Sequence, residues 1–123
     1  MPNEHILIID DDAELCEELA EMLQAEGYRV TCSSESARGE AMTRCLDFDA
    51  LILDSKMPLI TGLDILERMK VESIKKKVIL VSGGPFIEKE LRERGLEGVV
   101  SAVLGKPIDF VLLLEKLKAR VLF

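Results

Sequence analysis

With 123 residues, 48% of them hydrophobic and 32% charged, the chain has the size and apolar content of one compact domain and too much apolar material for disorder. Sixteen Lys and Arg against 23 Asp and Glu leave a formal charge of −7, which repels phosphate backbones and anionic lipid and disfavours direct nucleic-acid binding. The early apolar run Ile6–Ile9 is too short for a signal-peptide core or for the roughly 20 residues of a membrane span, so no membrane association and a cytoplasmic location are expected.

Ile6-Leu7-Ile8-Ile9 is a continuous, β-branched-rich run, the pattern of a strand buried on both faces of a parallel sheet. It stops at Asp10-Asp11-Asp12. Leu15, Leu19, Met22 and Leu23 then recur at helical spacing, and Gly27 supplies a helix stop. Tyr28 to Cys32 reads as a second strand, residues 34–45 as a weaker helix, and Ala50 to Leu53 as a third, wholly apolar strand running into Asp54. A loop with Met57-Pro58 and Gly62 leads to a helix bearing Leu63, Leu66 and Met69. Val78 to Val81 forms a fourth strand ending at Ser82, and Gly83-Gly84-Pro85 breaks the chain. A polar helix from Phe86 to Arg94, a strand near Ala102 to Leu104, and a final helix with Phe110, Leu113, Leu114, Leu117 and Val121 on its apolar stripe complete five β/α units. The order predicts one open parallel sheet with helices on both faces, formed by a single domain over residues 1–123.

Three other features have plain structural readings. Cys16, Cys32 and Cys45 are odd in number and widely spaced, which favours small core residues over a disulfide framework or zinc knuckle. His5, with no second histidine, is expected to be an exposed or capping residue. Lys75-Lys76-Lys77 is expected to decorate the turn before the fourth strand as a solvated surface.

In open α/β sheets ligands bind at the carboxyl ends of the strands, and the polar residues gather there. Asp10 and Asp11 end the first strand, Asp54 the third and Ser82 the fourth, and Lys106 follows the fifth. Carboxylates forced together repel one another and call for a cation. Mg²⁺ suits them, being a hard ion that takes a few carboxylate oxygens and shares its other positions with water and phosphate. A hydroxyl and an ammonium opposite are what a phosphoryl group requires. Singly, each residue also has an ordinary role: Asp11 or Asp12 as a helix cap, which is assigned to Asp12, Asp54 and Ser82 as turn residues, and Lys106 as a surface lysine. Their convergence on one sheet edge decides for a phosphoryl-transfer site.

Ile6-Leu7-Ile8-Ile9-Asp10-Asp11-Asp12, Leu53-Asp54-Ser55-Lys56-Met57-Pro58, Thr61-Gly62, Ile79-Leu80-Val81-Ser82-Gly83 and Gly105-Lys106-Pro107, in this order, resemble the receiver domains of two-component response regulators. The resemblance implies a flavodoxin-like, doubly wound five-stranded parallel sheet of order 2-1-3-4-5. It implies Mg²⁺-dependent phosphoryl transfer to Asp54 from a phosphohistidine of a sensor histidine kinase or phosphotransfer protein, switching an output surface for an unknown partner. Asp11, Asp54 and the Lys56 carbonyl would ligate the metal directly, and Asp10 mainly through water. Ser82 would follow the phosphoryl group on activation and Lys106 would neutralise it. The Lys106–Pro107 bond is expected to be cis, with the ammonium directed at Asp54 and Ser82. Such a domain promotes its own modification and its reversal without being a conventional enzyme. The family's aromatic residue three before the lysine is Val103 here, and the Gly98–Lys106 stretch is about one residue longer than usual.

Two rival readings stand beside this one. Asp10 and Asp12 could serve as nucleophile and acid/base of a haloacid-dehalogenase-like phosphatase, although only Asp109 and Glu115 follow Lys106 as a further acidic motif. Val103 and the Gly83-Gly84-Pro85 loop would also fit a receiver-like interaction module that no longer signals by phosphorylation.

Overall fold

The computed structural model describes residues 3–119; Val121, expected on the last apolar stripe, lies outside them. Five strands, β1 (His5–Ile9), β2 (Arg29–Ser33), β3 (Ala50–Asp54), β4 (Lys77–Ser82) and β5 (Ala102–Gly105), alternate with α1 (Ala13–Ala25), α2 (Ser36–Cys45), α3 (Gly62–Val71), α4 (Ile87–Glu93) and α5 (Phe110–Lys118). A short 3₁₀ turn, Glu97–Val99, precedes β5. All pairings are parallel and the sheet order is β2-β1-β3-β4-β5, so the doubly wound expectation holds.

The period of two along the strands divides the core between the two faces. Ile6, Ile8, Ile52, Ile79 and Val81 meet Cys16, Leu19 and Leu23 of α1 and Leu113 and Leu117 of α5. Leu7, Ile9, Leu51, Leu53, Val78 and Leu80 meet Leu63, Leu66 and Met69 of α3 and Ile87 and Leu91 of α4. Central strands buried on both sides explain the uninterrupted apolar runs. Asp12 caps α1 through a hydrogen bond that its Oδ1 accepts from the Leu15 amide at 3.1 Å, and Gly27 leaves the helix at φ 98°.

Several surface expectations need correction. His5, expected to be exposed or capping, opens β1 half-buried, and its ring lies 2.9 Å from the Asp47 carbonyl oxygen and 2.7 Å from Thr31 Oγ1, stitching β2 to the turn before β3. Met22 is exposed, with Cys16 taking the inward position on α1. Of the cysteines only Cys16 is fully buried, whereas Cys45 is exposed. Lys77 belongs to β4 and its ammonium donates to the Leu117 and Ala119 carbonyls, satisfying the end of α5, and Lys76 sits 5.5 Å over the Phe48 ring.

Candidate functional site

β1, β3 and β4 deliver their last residues to the same edge of the sheet, where Asp10 is 4%, Asp54 5% and Ser82 5% exposed. Carboxylate oxygens of Asp10, Asp11 and Asp54 all lie within 4.8 Å of one another, with Asp11 the exposed member. The positions are enforced by backbone. Asp10 donates its amide to the Ser33 carbonyl at 3.1 Å, its carbonyl accepts from the Cys16 thiol at 3.3 Å, and its Oδ1 accepts from the Asp12 amide at 2.9 Å. Asp54 Oδ1 accepts from the Lys56 amide at 3.3 Å.

Behind Asp54, Gly62 opens α3 in direct contact with the strand: a Cβ there would lie 2.1 Å from the Asp54 carbonyl oxygen and 2.9 Å from Ser55 Cα. The atoms in the way are backbone of the central strand, which cannot yield as a flexible side chain could. Gly62→Ala is therefore expected to cost at least about 2 kcal/mol by overpacking, read from urea midpoints. A loss under about 0.5 kcal/mol would show that α3 can shift away from Asp54 freely.

Lys106 reaches the cluster from beyond β5, with Nζ 3.2 Å from Asp10 Oδ2 and 3.4 Å from Asp54 Oδ1. The Lys106–Pro107 bond is cis. The ammonium thus pairs with Asp10 and Asp54, where Asp54 and Ser82 were expected. Two anionic carboxylates outcompete a neutral hydroxyl, and Ser82 Oγ instead accepts from the Gly84 amide at 3.1 Å. Burial opposes the lysine's charge, but the Asp10 and Asp54 carboxylates outweigh it and hold its pKa above the ordinary value. Burial, then repulsion from Asp10, push the Asp54 carboxyl up to about 6 against the opposing pull of Lys106 and the Lys56 amide.

Lys56 was expected to contribute its carbonyl. A Cβ built on Gly84 would lie 3.7 Å from Lys56 Nζ and 3.6 Å from Ser82 Oγ, so this second ammonium and the serine flank the same glycine. Asp12 is occupied as the α1 cap, and Asp109 caps α5 by accepting from the Leu112 amide at 3.2 Å. Two of the acids that a dehalogenase-like phosphatase would draw on, Asp12 and Asp109, are thereby committed to helix ends.

The sequence profile of the response regulator receiver domain matches residues 6–118. The chain belongs to this family. As a receiver domain it is a signalling module rather than a conventional enzyme. It is 26% identical over 87 residues to the cell cycle transcriptional regulator CtrA of Caulobacter vibrioides, an alignment covering 71% of this chain and 38% of that protein. The chain thus spans about two-fifths of the length of the curated relatives it matches. A CheY-like receiver domain protein of Methanospirillum hungatei superposes with a TM-score of 0.84 at 29% identity, covering 95% of this chain and 92% of that one. Response regulator TrrA of Thermotoga maritima, in complex with Mg²⁺ and BeF, gives a TM-score of 0.80 at 27% identity, covering 94% and 96%. In this receiver domain Asp10, Asp11 and Asp54 form the acidic pocket at the sheet edge. No helix among the described residues is long and apolar enough to cross a membrane.

Proposed function

We infer that residues 1–123 form one phosphoacceptor domain whose Asp54 takes a phosphoryl group from the phosphohistidine of a sensor histidine kinase or phosphotransfer protein. The observation that carries this reading is a buried carboxylate at a strand end, held between a second carboxylate and an ammonium within 3.4 Å. An Asp54 oxygen forms the new O–P bond as the donor's N–P bond breaks, and the imidazole leaves with the bonding pair. A carboxylate is a weak nucleophile toward an anion, so the site's task is alignment and charge compensation rather than proton removal. Lys106 is placed to neutralise one phosphoryl oxygen. Ser82 offers a hydroxyl proton to another, with the Gly84 amide holding its oxygen. Hydrolysis of the acyl phosphate restores Asp54, so acceptance and reversal belong to the same residues.

The donor set fits a hard divalent cation: carboxylates of Asp11 and Asp54 and the Lys56 carbonyl as direct ligands, with Asp10 acting through water. Bound Mg²⁺ would supply positive charge that offsets repulsion between these carboxylates and an incoming phosphoryl group. The complex of TrrA with Mg²⁺ and BeF supports this assignment. Metal should also stabilise the fold. At an affinity of about 1 mM, about 10 mM Mg²⁺ adds roughly 1.4 kcal/mol through binding linkage. A thermal midpoint indifferent to Mg²⁺ would argue that these acids hold no metal.

The domain is read as cytoplasmic, with an output partner that senses the phosphorylated state and no direct contact with nucleic acid or membrane. Incubation with a small-molecule phosphodonor and Mg²⁺, followed by intact-mass measurement and mapping of the modified residue, tests the reading. One added phosphoryl group on Asp54 is expected. Modification of Asp10 would favour the phosphatase-like chemistry instead.

A further inference from the structure

Cys16 and Cys32 are 16 positions apart in sequence, but the α1–β2 packing brings them together. Cys32 Sγ lies 3.6 Å from the Cys16 carbonyl oxygen, so the two cysteines are in direct contact. Cys16 is 3% exposed and Cys32 is half-buried on β2, an edge strand of the sheet. A partly exposed cysteine backed by a buried second thiol is the arrangement in which a first oxidation is resolved within the chain. The neighbouring Cys16 thiol lowers the Cys32 pKa below the ordinary cysteine value, against opposing burial and the charge of Glu17. The Cys16 thiol also donates to the Asp10 carbonyl at 3.3 Å, while the Asp10 amide is held by Ser33, the residue after Cys32. The thiol pair is thus built into the support of one site carboxylate.

We propose that Cys16 and Cys32 are a peroxide-oxidisable pair whose intramolecular disulfide loosens Asp10 and slows phosphoryl acceptance. The Cys32 thiolate attacks one oxygen of hydrogen peroxide; the O–O bond breaks, and the departing hydroxide leaves as water after taking up a proton. Cys32, oxidised by two electrons, is then a sulfenic acid. The Cys16 sulfur attacks it, the S–O bond breaks, and the Cys16 proton leaves with the hydroxyl as a second water. The bond formed consumes the S–H that served the Asp10 carbonyl, which is left without this donor. The cross-link itself is independent of the phosphoacceptor reading; the slowing rests on it.

The test uses a Cys45→Ser protein, which removes the exposed thiol and with it cross-linking through that residue. After peroxide treatment the intact mass should fall by two hydrogens, and proteolysis without reductant should yield a joined Cys16–Cys32 peptide. Cys32→Ser should abolish both changes, and Cys16→Ser should divert Cys32 to sulfinic acid. Sulfinic acid on Cys32 with Cys16 intact and no joined peptide would overturn the pairing. The oxidised protein should accept phosphoryl groups from a small-molecule donor several-fold more slowly, with full recovery in dithiothreitol. If the joined peptide forms and reduced protein is labelled on Asp54, an unchanged rate in the oxidised form would overturn the coupling to Asp10. If reduced protein is not labelled at all, the phosphoacceptor reading fails while the disulfide stands on its peptide map. In that case the coupling is rejected with it.

Discussion

Asp54→Asn is expected to reduce phosphoryl uptake from a small-molecule donor with Mg²⁺ to the background of an intact-mass measurement, a fall of at least about two orders of magnitude. The substitution keeps the shape of the side chain and its place at the end of β3, but an amide presents no anionic oxygen to form the O–P bond. Asp10 cannot take over readily. Its Oδ1 accepts from the Asp12 amide and its Oδ2 faces Lys106, and its backbone is held on both sides. Uptake in the variant that persists and maps to Asp10 would mean that the nucleophile had been assigned to the wrong strand.

The same substitution should stabilise the metal-free protein at neutral pH by about 3 kcal/mol, taking 1.36 kcal/mol per pKa unit. Burial and the proximity of Asp10 raise the Asp54 carboxyl to about 6 in the folded chain, against about 3.9 for an unfolded aspartate. Because the folded state holds this proton more tightly, the group's stabilising contribution is complete below about pH 4 and is lost as pH rises through about 6. Asparagine carries no charge and escapes the loss. The measurement is the difference in urea unfolding free energy between wild type and variant, with a chelator present. It should be near zero at about pH 4 and should open through pH 6 to its full value by pH 7. Comparing the two proteins matters, because Asp64 has its pKa lowered, chiefly by the hydrogen bond from the Thr61 amide and then by Arg94, and so contributes with the opposite pH sense. A difference that does not vary between pH 4 and 7 would show that Asp54 is not under strain from its neighbours.

What the sequence made legible is what obeys a local rule. Three strands buried on both faces read as plain apolar runs, and each site residue stood where such a run or the last short strand gave way to a loop. α2 was harder to read because its buried face is Ser36, Gly39, Glu40 and Thr43. These polar residues are tolerated inside because Ser36 Oγ donates to the Pro58 carbonyl at 2.8 Å and Glu40 is paired with Arg44 at 3.1 Å and Arg68 at 3.4 Å. Arg44 is an i,i+4 neighbour on the same helix, but Pro58 and Arg68 are tertiary partners and leave no periodic trace. Lys77, His5 and the Cys16–Cys32 pair eluded the reading for the same reason: each is defined by a contact with a segment 16 or more residues away.

β5 carries a consequence of its own. It is an edge strand, paired only with β4, and consists of four residues of which Ala102 and Val103 are only half-buried. β3 lies in the middle of the sheet and is buried throughout. Opening free energies in a native protein follow such differences, low at thinly covered edges and approaching the global value in the interior. Asp54 is therefore mounted on a buried central strand, and Lys106 follows one of the most easily frayed. The site's negative charge is fixed in space, and its positive charge is hung on a compliant hinge.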